Sequence, residues 1–257
     1  MRIETTAPAQ FGTSPLLIEP EAFRDWIVRE DERLLVLDKP GWVVCHPSKN
    51  GPWSSLVGAA REYLGGGAVH LVSRLDRETS GLVILAKDRG MARALQMAVQ
   101  SRRVDKTYLA VLEGVLEKRL EVSRPLERDA ESPVAVKQRV GRTGGGQKAQ
   151  TSFIPREHRG GCTLAEVIPH TGRKHQIRAH AQWAGFPVAG DKLYGPDPLL
   201  YLHFIEAGWT PEHARRLRHF RQALHAARLA FDLGAEMLTF EAPLAPDLAA
   251  LWAALGE

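Results

Sequence analysis

The chain has only two cysteines in 257 residues, Cys45 and Cys162, too far apart for a CxxC pair, so neither a disulfide framework nor a zinc ribbon is expected. A reducing cytoplasm suits it. No run of eighteen apolar residues occurs, which excludes an ordinary membrane-spanning helix, and no basic segment followed by an apolar run opens the sequence as a secretion leader would. Low-complexity tracts and internal repeats are missing too. The charged fraction of 25% is ordinary for a globular protein and argues against both a disordered chain and a coiled coil. What remains is a sequence with 44% hydrophobic residues, enough for a substantial core in one large domain or two small ones. A monomer is expected.

The net charge of +4 comes from 34 basic and 30 acidic residues, a small surplus that suits a polyanionic partner without requiring one. Its distribution is more informative. Between Ala135 and Arg156 stand Lys137, Arg139, Arg142, Lys148 and Arg156 with no acid among them. Between His213 and Arg228 stand Arg215, Arg216, Arg218, Arg221 and Arg228, again with no carboxylate. Each run reads either as a polyanion contact or as a solvated face.

Along the chain, residues 1–30 open on a polar, proline-punctuated segment that reads as an arm, and residues 31–257 form the main domain. Leu34 to Leu37 predict a strand stopped by Lys39, Pro40 and Gly41, with Val43 and Val44 starting a second strand after the turn. A glycine break at Gly65 to Gly67 precedes HLVSRLDRETSGLVILAKD, in which a polar loop holding Asp76 runs into an apolar strand, Leu82 to Ala86. Met91, Leu95, Ala98 and Val99 recur at helical spacing over Arg89 to Arg102. KTYLAVLE, Lys106 to Glu113, alternates as a half-buried strand does. Gly141 to Lys148 reads as a turn between strands, and Thr163 to Ile168 as a further strand. In GRKHQIRAHAQWAG a helix is predicted, with Ile177, Ala181 and Ala184 on its apolar face, His175, Arg178 and Gln182 on another, and Gly185 as its stop. Thr210 and Pro211 begin a basic helix; strands follow near Leu229 and Leu238, then a helix from Pro246. Strands outnumber helices, so the fold class is α+β with a mixed or antiparallel sheet.

Chemistry concentrates at SRLDRETSG. Asp76 lies between Arg74 and Arg77, and neighbouring cations lower a carboxylate's pKa and keep it an anion able to act as nucleophile or base. An aspartate that merely caps a turn has the same local sequence.

The longer pattern changes the weight of these readings. RLDRETSGLVILAK resembles the catalytic segment of the RluA-type pseudouridine synthases. LLVLDKPGWVVCHP is similar to that family's upstream element, KTYLAVLEG to its tyrosine-bearing strand, and TGRKHQIRAHAQWAGFPVAGDKLYG to its arginine-bearing helix and the loop after it. RQALHAARLAF near the end is similar as well, so the matches run in order over roughly residues 33 to 243. The resemblance implies a central mixed, largely antiparallel sheet flanked by helices, a catalytic cleft, and no metal or organic cofactor. It implies Asp76 as the catalytic aspartate, Tyr108 as the tyrosine against the target base, and Arg178 as the arginine that pairs with the aspartate. The expected reaction breaks the N1 glycosidic bond of a uridine, turns the uracil and rejoins it through C5, with no redox change and nothing gained or lost.

The expected partner is folded RNA, ribosomal or transfer. The target must leave its stack before Asp76 can reach it, and Arg74 either fills the vacated space or contacts a phosphate. Arg77, Lys137, Arg139, Arg142, Lys148 and Arg173 are the other candidate RNA contacts. Ser73 stands where the family commonly has His, which puts local RNA contacts in question, and thirty residues before the first matching strand leave no room for the S4-type module of many relatives. Two rival readings stay open here: a catalytically silent RNA-binding protein of the same fold, and a hydrolase using Asp76 with Cys45, His46 and His170, for which no regular ligand spacing is present.

Overall fold

The computed structural model describes residues 17–46, 50–141 and 145–256. In chain order the helices are α1 Pro20–Asp25, α2 Leu56–Tyr63, α3 Arg89–Gln100, α4 Gln176–Trp183, α5 Leu199–Ala207, α6 Pro211–Arg216 and α7 Pro246–Ala254. The first six strands are β1 Ile27–Glu30, β2 Leu34–Lys39, β3 His70–Leu71, β4 Ser80–Ala86, β5 Val104–Glu113 and β6 Leu120–Ser123. The others are β7 Leu126–Arg128, β8 Gln138–Val140, β9 Gln150–Arg159, β10 Cys162–Pro169, β11 Leu224–Asp232 and β12 Met237–Glu241. The described residues divide into two compact units, 17–106 with His225–Ala245, and Thr107–Leu224 with 246–256, here called the Asp76 unit and the Arg178 unit. Pairs such as β1 with β2, β2 with β4, β5 with β10, β9 with β10 and β11 with β12 are antiparallel and β4 with β11 is parallel, so the α+β class with a mixed, largely antiparallel sheet is as expected.

In the Asp76 unit the strands run β1-β2-β4-β11, with β12 on β11 and β3 on β4. The unbroken apolar runs LLVL and LVILA follow from burial of both faces. Leu34 and Val36 of β2, with Leu82 and Ile84 of β4, pack under Met91, Leu95 and Ala98 of α3. Their neighbours Leu35, Leu37, Val83 and Leu85 point the other way, into a second cluster with Phe23 of α1 and Leu56, Val57 and Ala60 of α2. Asp88 caps α3 by accepting from the Met91 N–H at 2.9 Å. Val99, expected on the apolar stripe of α3, is exposed, while the positions on the stripe's centre are fully covered.

Residues 1–16 of the expected arm lie outside the described residues. Its last part is folded: α1 carries the fully buried Phe23, and β1 pairs with β2. The second strand expected at Val43 and Val44 does not form. The Val44 and Cys45 carbonyls instead accept the Leu56 and Val57 N–H groups, at 2.9 and 3.2 Å, so the first turn of α2 takes the hydrogen bonds a strand would need.

In the Arg178 unit β5-β10-β9-β6 form an antiparallel sheet, and β7 pairs with β8 as a separate ribbon. Helix α4 packs beside them, with Ala179 in a cluster that includes Leu126, Leu193 and Tyr194.

Candidate active site

Asp76 stands half-buried in the loop between β3 and β4, and the loop is held by its backbone. Lys39, fully buried at the end of β2, donates from Nζ to the Arg77 carbonyl at 3.2 Å and to the Pro40 carbonyl at 2.8 Å. The Cys45 thiol and the Leu75 backbone lie at 3.5 Å on the residue before the aspartate. After it, the Thr79 N–H donates to the Asp76 carbonyl at 3.1 Å and closes a turn. Ser80, buried, meets His225 Nδ1 at 3.0 Å. Gly81 has φ +110°, and a Cβ there would lie 2.4 Å from the Ala226 carbonyl oxygen, so β4 enters beside β11 at a distance that only glycine allows. These contacts give the Asp76 backbone one position at the mouth of a buried strand.

Tyr108 is half-buried on β5, opposite Val167 of β10. By strand alternation Lys106 shares its face, and burial pulls the Lys106 ammonium pKa below the ordinary lysine value.

Arg178 was expected on a face of α4 separate from the apolar one, yet it is buried. The reason is Asp191, which the sequence reading did not single out. Arg178 donates from Nε to Asp191 Oδ2 at 2.6 Å and from Nη2 to Oδ1 at 2.9 Å, a bidentate pair. Oδ1 also accepts the Leu193 and Tyr194 N–H groups at 3.0 and 2.9 Å. Burial alone would raise the Asp191 pKa, but the Arg178 charge and these hydrogen bonds outweigh it and hold the carboxyl below its usual range. The guanidinium also lies over the Tyr194 ring, 4.9 Å from its centroid. The Tyr194 hydroxyl accepts the Gln138 N–H at 2.7 Å and lies 3.0 Å from His175 Nδ1, which ties the start of β8 to the residue before α4. Gly190, φ +74°, has the Arg221 carbonyl oxygen 2.2 Å from where its Cβ would be, so the glycine ahead of Asp191 is required by close backbone approach.

The RNA pseudouridylate synthase family model matches residues 33–183, more than half of the chain. The chain belongs to this family. Its members are pseudouridine synthases, which are isomerases. Among curated relatives, ribosomal large subunit pseudouridine synthase D of Nitrosomonas europaea is 34% identical over 92% of this chain and 67% of its own length. Ribosomal large subunit pseudouridine synthase C of Salmonella typhimurium is 33% identical over 91% and 70%. An RNA pseudouridine synthase homolog of Mycoplasma pneumoniae is 36% identical over 72% of the chain, which spans 60% of that relative. The structure of human RNA pseudouridylate synthase domain containing 4 superposes with TM-score 0.72 at 25% identity, over 92% of this chain and 95% of that one.

Within this pseudouridine synthase the candidate RNA contacts sort by what surrounds them. Arg74 and Arg77 are exposed beside Asp76. Lys148 and Arg173 are exposed, and Arg173 Nε donates to the Lys148 carbonyl at 3.1 Å. Arg139 instead meets Glu127 at 3.0 Å, Glu131 at 2.9 Å and Asp129 at 3.8 Å, and Lys137 meets Asp129 at 3.7 Å. Those carboxylates precede the acid-free run in sequence, and the β7-β8 pairing brings them beside it. Arg142 lies outside the described residues.

The second basic run is largely architectural. Arg216 pairs with Asp197, Arg218 with Glu113 and Arg228 with Glu241. Arg221, 1% exposed, makes a bidentate pair with Asp247 at the start of α7. His180 meets the Thr151 hydroxyl at 2.9 Å with Nδ1 and donates from Nε2 to the Arg124 carbonyl at 3.0 Å, so both ring nitrogens are satisfied within the fold. Of the residues named for a hydrolase site, Cys45 contacts the Leu75 backbone and His170 meets Ser152 at 2.7 Å. Among the described residues no group of three His, Cys, Asp or Glu side chains is arranged as a metal site.

Proposed function

We propose that this chain isomerises specific uridines to pseudouridine in structured RNA, ribosomal or transfer, with Asp76 as the reacting carboxylate. The observation that carries the reading is the fixed loop at the start of β4, in which Lys39, Cys45 and the Thr79 turn hold the backbone around an Asp76 that remains half-buried rather than sealed in the core. A group that must meet a nucleotide needs this combination of a rigid backbone and an accessible side chain.

In this proposal Asp76, as the anion, attacks C1′ or removes a sugar proton to start elimination. The N1 to C1′ bond breaks, the uracil turns, C5 bonds to C1′, and the C5 proton is removed while N1 regains one, so atoms balance with no cofactor. Tyr108 presents its ring to the uracil, and its hydroxyl assists removal of the C5 proton. Arg178 carries the role the resemblance implies, that of keeping the carboxylate charged, and Asp191 keeps Arg178 in one rotamer. Arg74 and Arg77 take phosphates flanking the extruded nucleotide. The two buried free thiols fit work in the reducing cytoplasm.

The test is pseudouridine mapping of total RNA from cells lacking this protein, complemented with wild type or with Asp76→Asn. The expected result is one or more sites that vanish without the protein and return only with wild type. Full restoration by Asp76→Asn would overturn the catalytic reading in favour of a silent RNA-binding protein.

A further inference from the structure

The candidate active-site residues leave one cationic and aromatic surface of the Arg178 unit unexplained. Strands β6, β9 and β10 end together: Ser123 is opposite Gln150, and Thr151 is opposite Pro169. The chain beyond these ends stays close. Leu126 and Gln147 exchange backbone hydrogen bonds at 2.9 and 2.7 Å, and the His170 N–H donates to the Gln150 carbonyl at 3.0 Å. Three strands span two interstrand spacings, about 10 Å. Arg124, Lys148, Arg173 and Lys174 therefore gather at one end of the sheet, and all four are exposed.

Helix α4 ties this end together. His180 Nε2 donates to the Arg124 carbonyl at 3.0 Å, and Gln176 Nε2 donates to the Gln150 carbonyl at 2.8 Å. At the helix's last residue stands Trp183, 50% exposed, with the Arg124 guanidinium 5.2 Å from the indole centroid. Half of a large apolar ring is thus left in water on a surface of cations. Unlike Lys137, Arg139, Arg216 and Arg218, none of these four cations has a carboxylate within 4.0 Å among the described residues.

We infer that this surface binds an unpaired stretch of the RNA substrate, with one base stacked on Trp183 and the adjoining phosphates on Arg124, Lys148, Arg173 and Lys174. An indole takes any base by its face, and uncompensated cations beside it follow the sugar-phosphate chain. A protein partner would have to be acidic and would gain nothing specific from the indole's geometry. The inference rests on the RNA-modifying reading but concerns binding, so the two fail separately.

The experiment measures fluorescence anisotropy of a fluorescein-labelled, uridine-rich single-stranded RNA of about twelve nucleotides, within the usual site sizes for such binding. The salt concentration is varied, and polyglutamate serves as competitor. Trp183→Ala is expected to weaken binding by about 5-fold or more with the salt dependence unchanged, and Trp183→Phe to recover part of the loss. Lys148→Ala and Arg173→Ala are each expected to lower the salt slope by about 0.7, as loss of one phosphate contact on a single strand does. Arg119→Ala, whose guanidinium is already paired with Glu121 at 2.7 Å, serves as the control and leaves the slope in place. Wild-type affinity in Trp183→Ala together with an unchanged slope in both cation variants, or polyglutamate competing as well as RNA, overturns the inference. If these variants bind normally while Asp76→Asn loses pseudouridine, the surface assignment fails alone. If they bind weakly while Asp76→Asn restores modification, the catalytic reading fails alone.

Discussion

Replacing Asp191 by Asn tests the feature on which the position of Arg178 depends. The Arg178 side chain is 8% exposed and the Asp191 side chain is completely buried, so the ion pair has little solvent screening. Three donors, Arg178 Nη2 and the Leu193 and Tyr194 N–H groups, converge on Oδ1, and Arg178 Nε addresses Oδ2. An asparagine that keeps its oxygen at the first site turns its NH2 toward Nε, donor against donor; the flipped amide faces three donors instead. Either way the bidentate pair with a buried guanidinium is broken, a loss of about 3 to 5 kcal/mol. For a chain of this size each kcal/mol moves Tm by about 2 to 4 °C, so the shift is about 6 to 20 °C, read by calorimetry or circular dichroism. Because the Asp191 pKa is held below its unfolded value, its contribution is present above about pH 4 and disappears as pH falls through the folded pKa. The gap between wild type and variant therefore narrows in acid. The double variant Arg178→Met, Asp191→Leu removes both charges and is expected to recover most of the stability. An Asp191→Asn protein that unfolds within about 1 kcal/mol of wild type at pH 7 would refute the assignment, since breaking a buried bidentate pair costs several times that.

Gly81→Ala forces a methyl to within 2.4 Å of the Ala226 carbonyl oxygen at φ +110°, and the expected result is a loss of several kcal/mol or no folded protein, read by urea denaturation. Burial holds the His180 pKa below its ordinary value, and His219 is shifted the same way. Both hold a proton less readily folded than unfolded, so the unfolded chain takes up protons first and stability falls as pH drops below about 6.5. Denaturant midpoints from pH 7 to 5 should show this slope, and a flat profile would contradict it. The Cys162 thiol, pushed up to about 11 mainly by burial, should resist alkylation at pH 8 in the folded protein and react after unfolding, as followed by mass spectrometry. Tyr108→Phe should keep RNA affinity while lowering the single-turnover rate, which separates the ring from the hydroxyl.

Strand β4, helices α3 and α4, and the loop holding Asp76 were legible because each is a local pattern: an unbroken apolar run, a 3.6-residue period, a cluster of polar residues before a strand. The strand misread at Val43 shows the limit of such patterns. Two valines after a turn favour extended backbone, but which N–H groups reach their carbonyls depends on residues 56 and 57, a dozen positions away. The same limit applies to charge. The runs from Ala135 and from His213 hold no acid, yet the β7-β8 pairing sets Glu127, Asp129 and Glu131 beside Arg139, and the start of α7 sets Asp247 against Arg221. Asp191 escaped notice for a related reason, since one aspartate between a glycine and a lysine has no local signature, and only the turn that aims it at α4 makes it the anchor of Arg178.

The sequence by itself determined the α+β class, the candidate reacting carboxylate and the family, since these depend on residue types in a fixed order along the chain. Tertiary structure alone decided which cations are already neutralised, which remain available to a phosphate, and what holds each candidate residue in place. Those properties depend on distances between segments far apart in the chain, and electrostatic and hydrogen-bonding energies follow distance in space rather than separation in sequence.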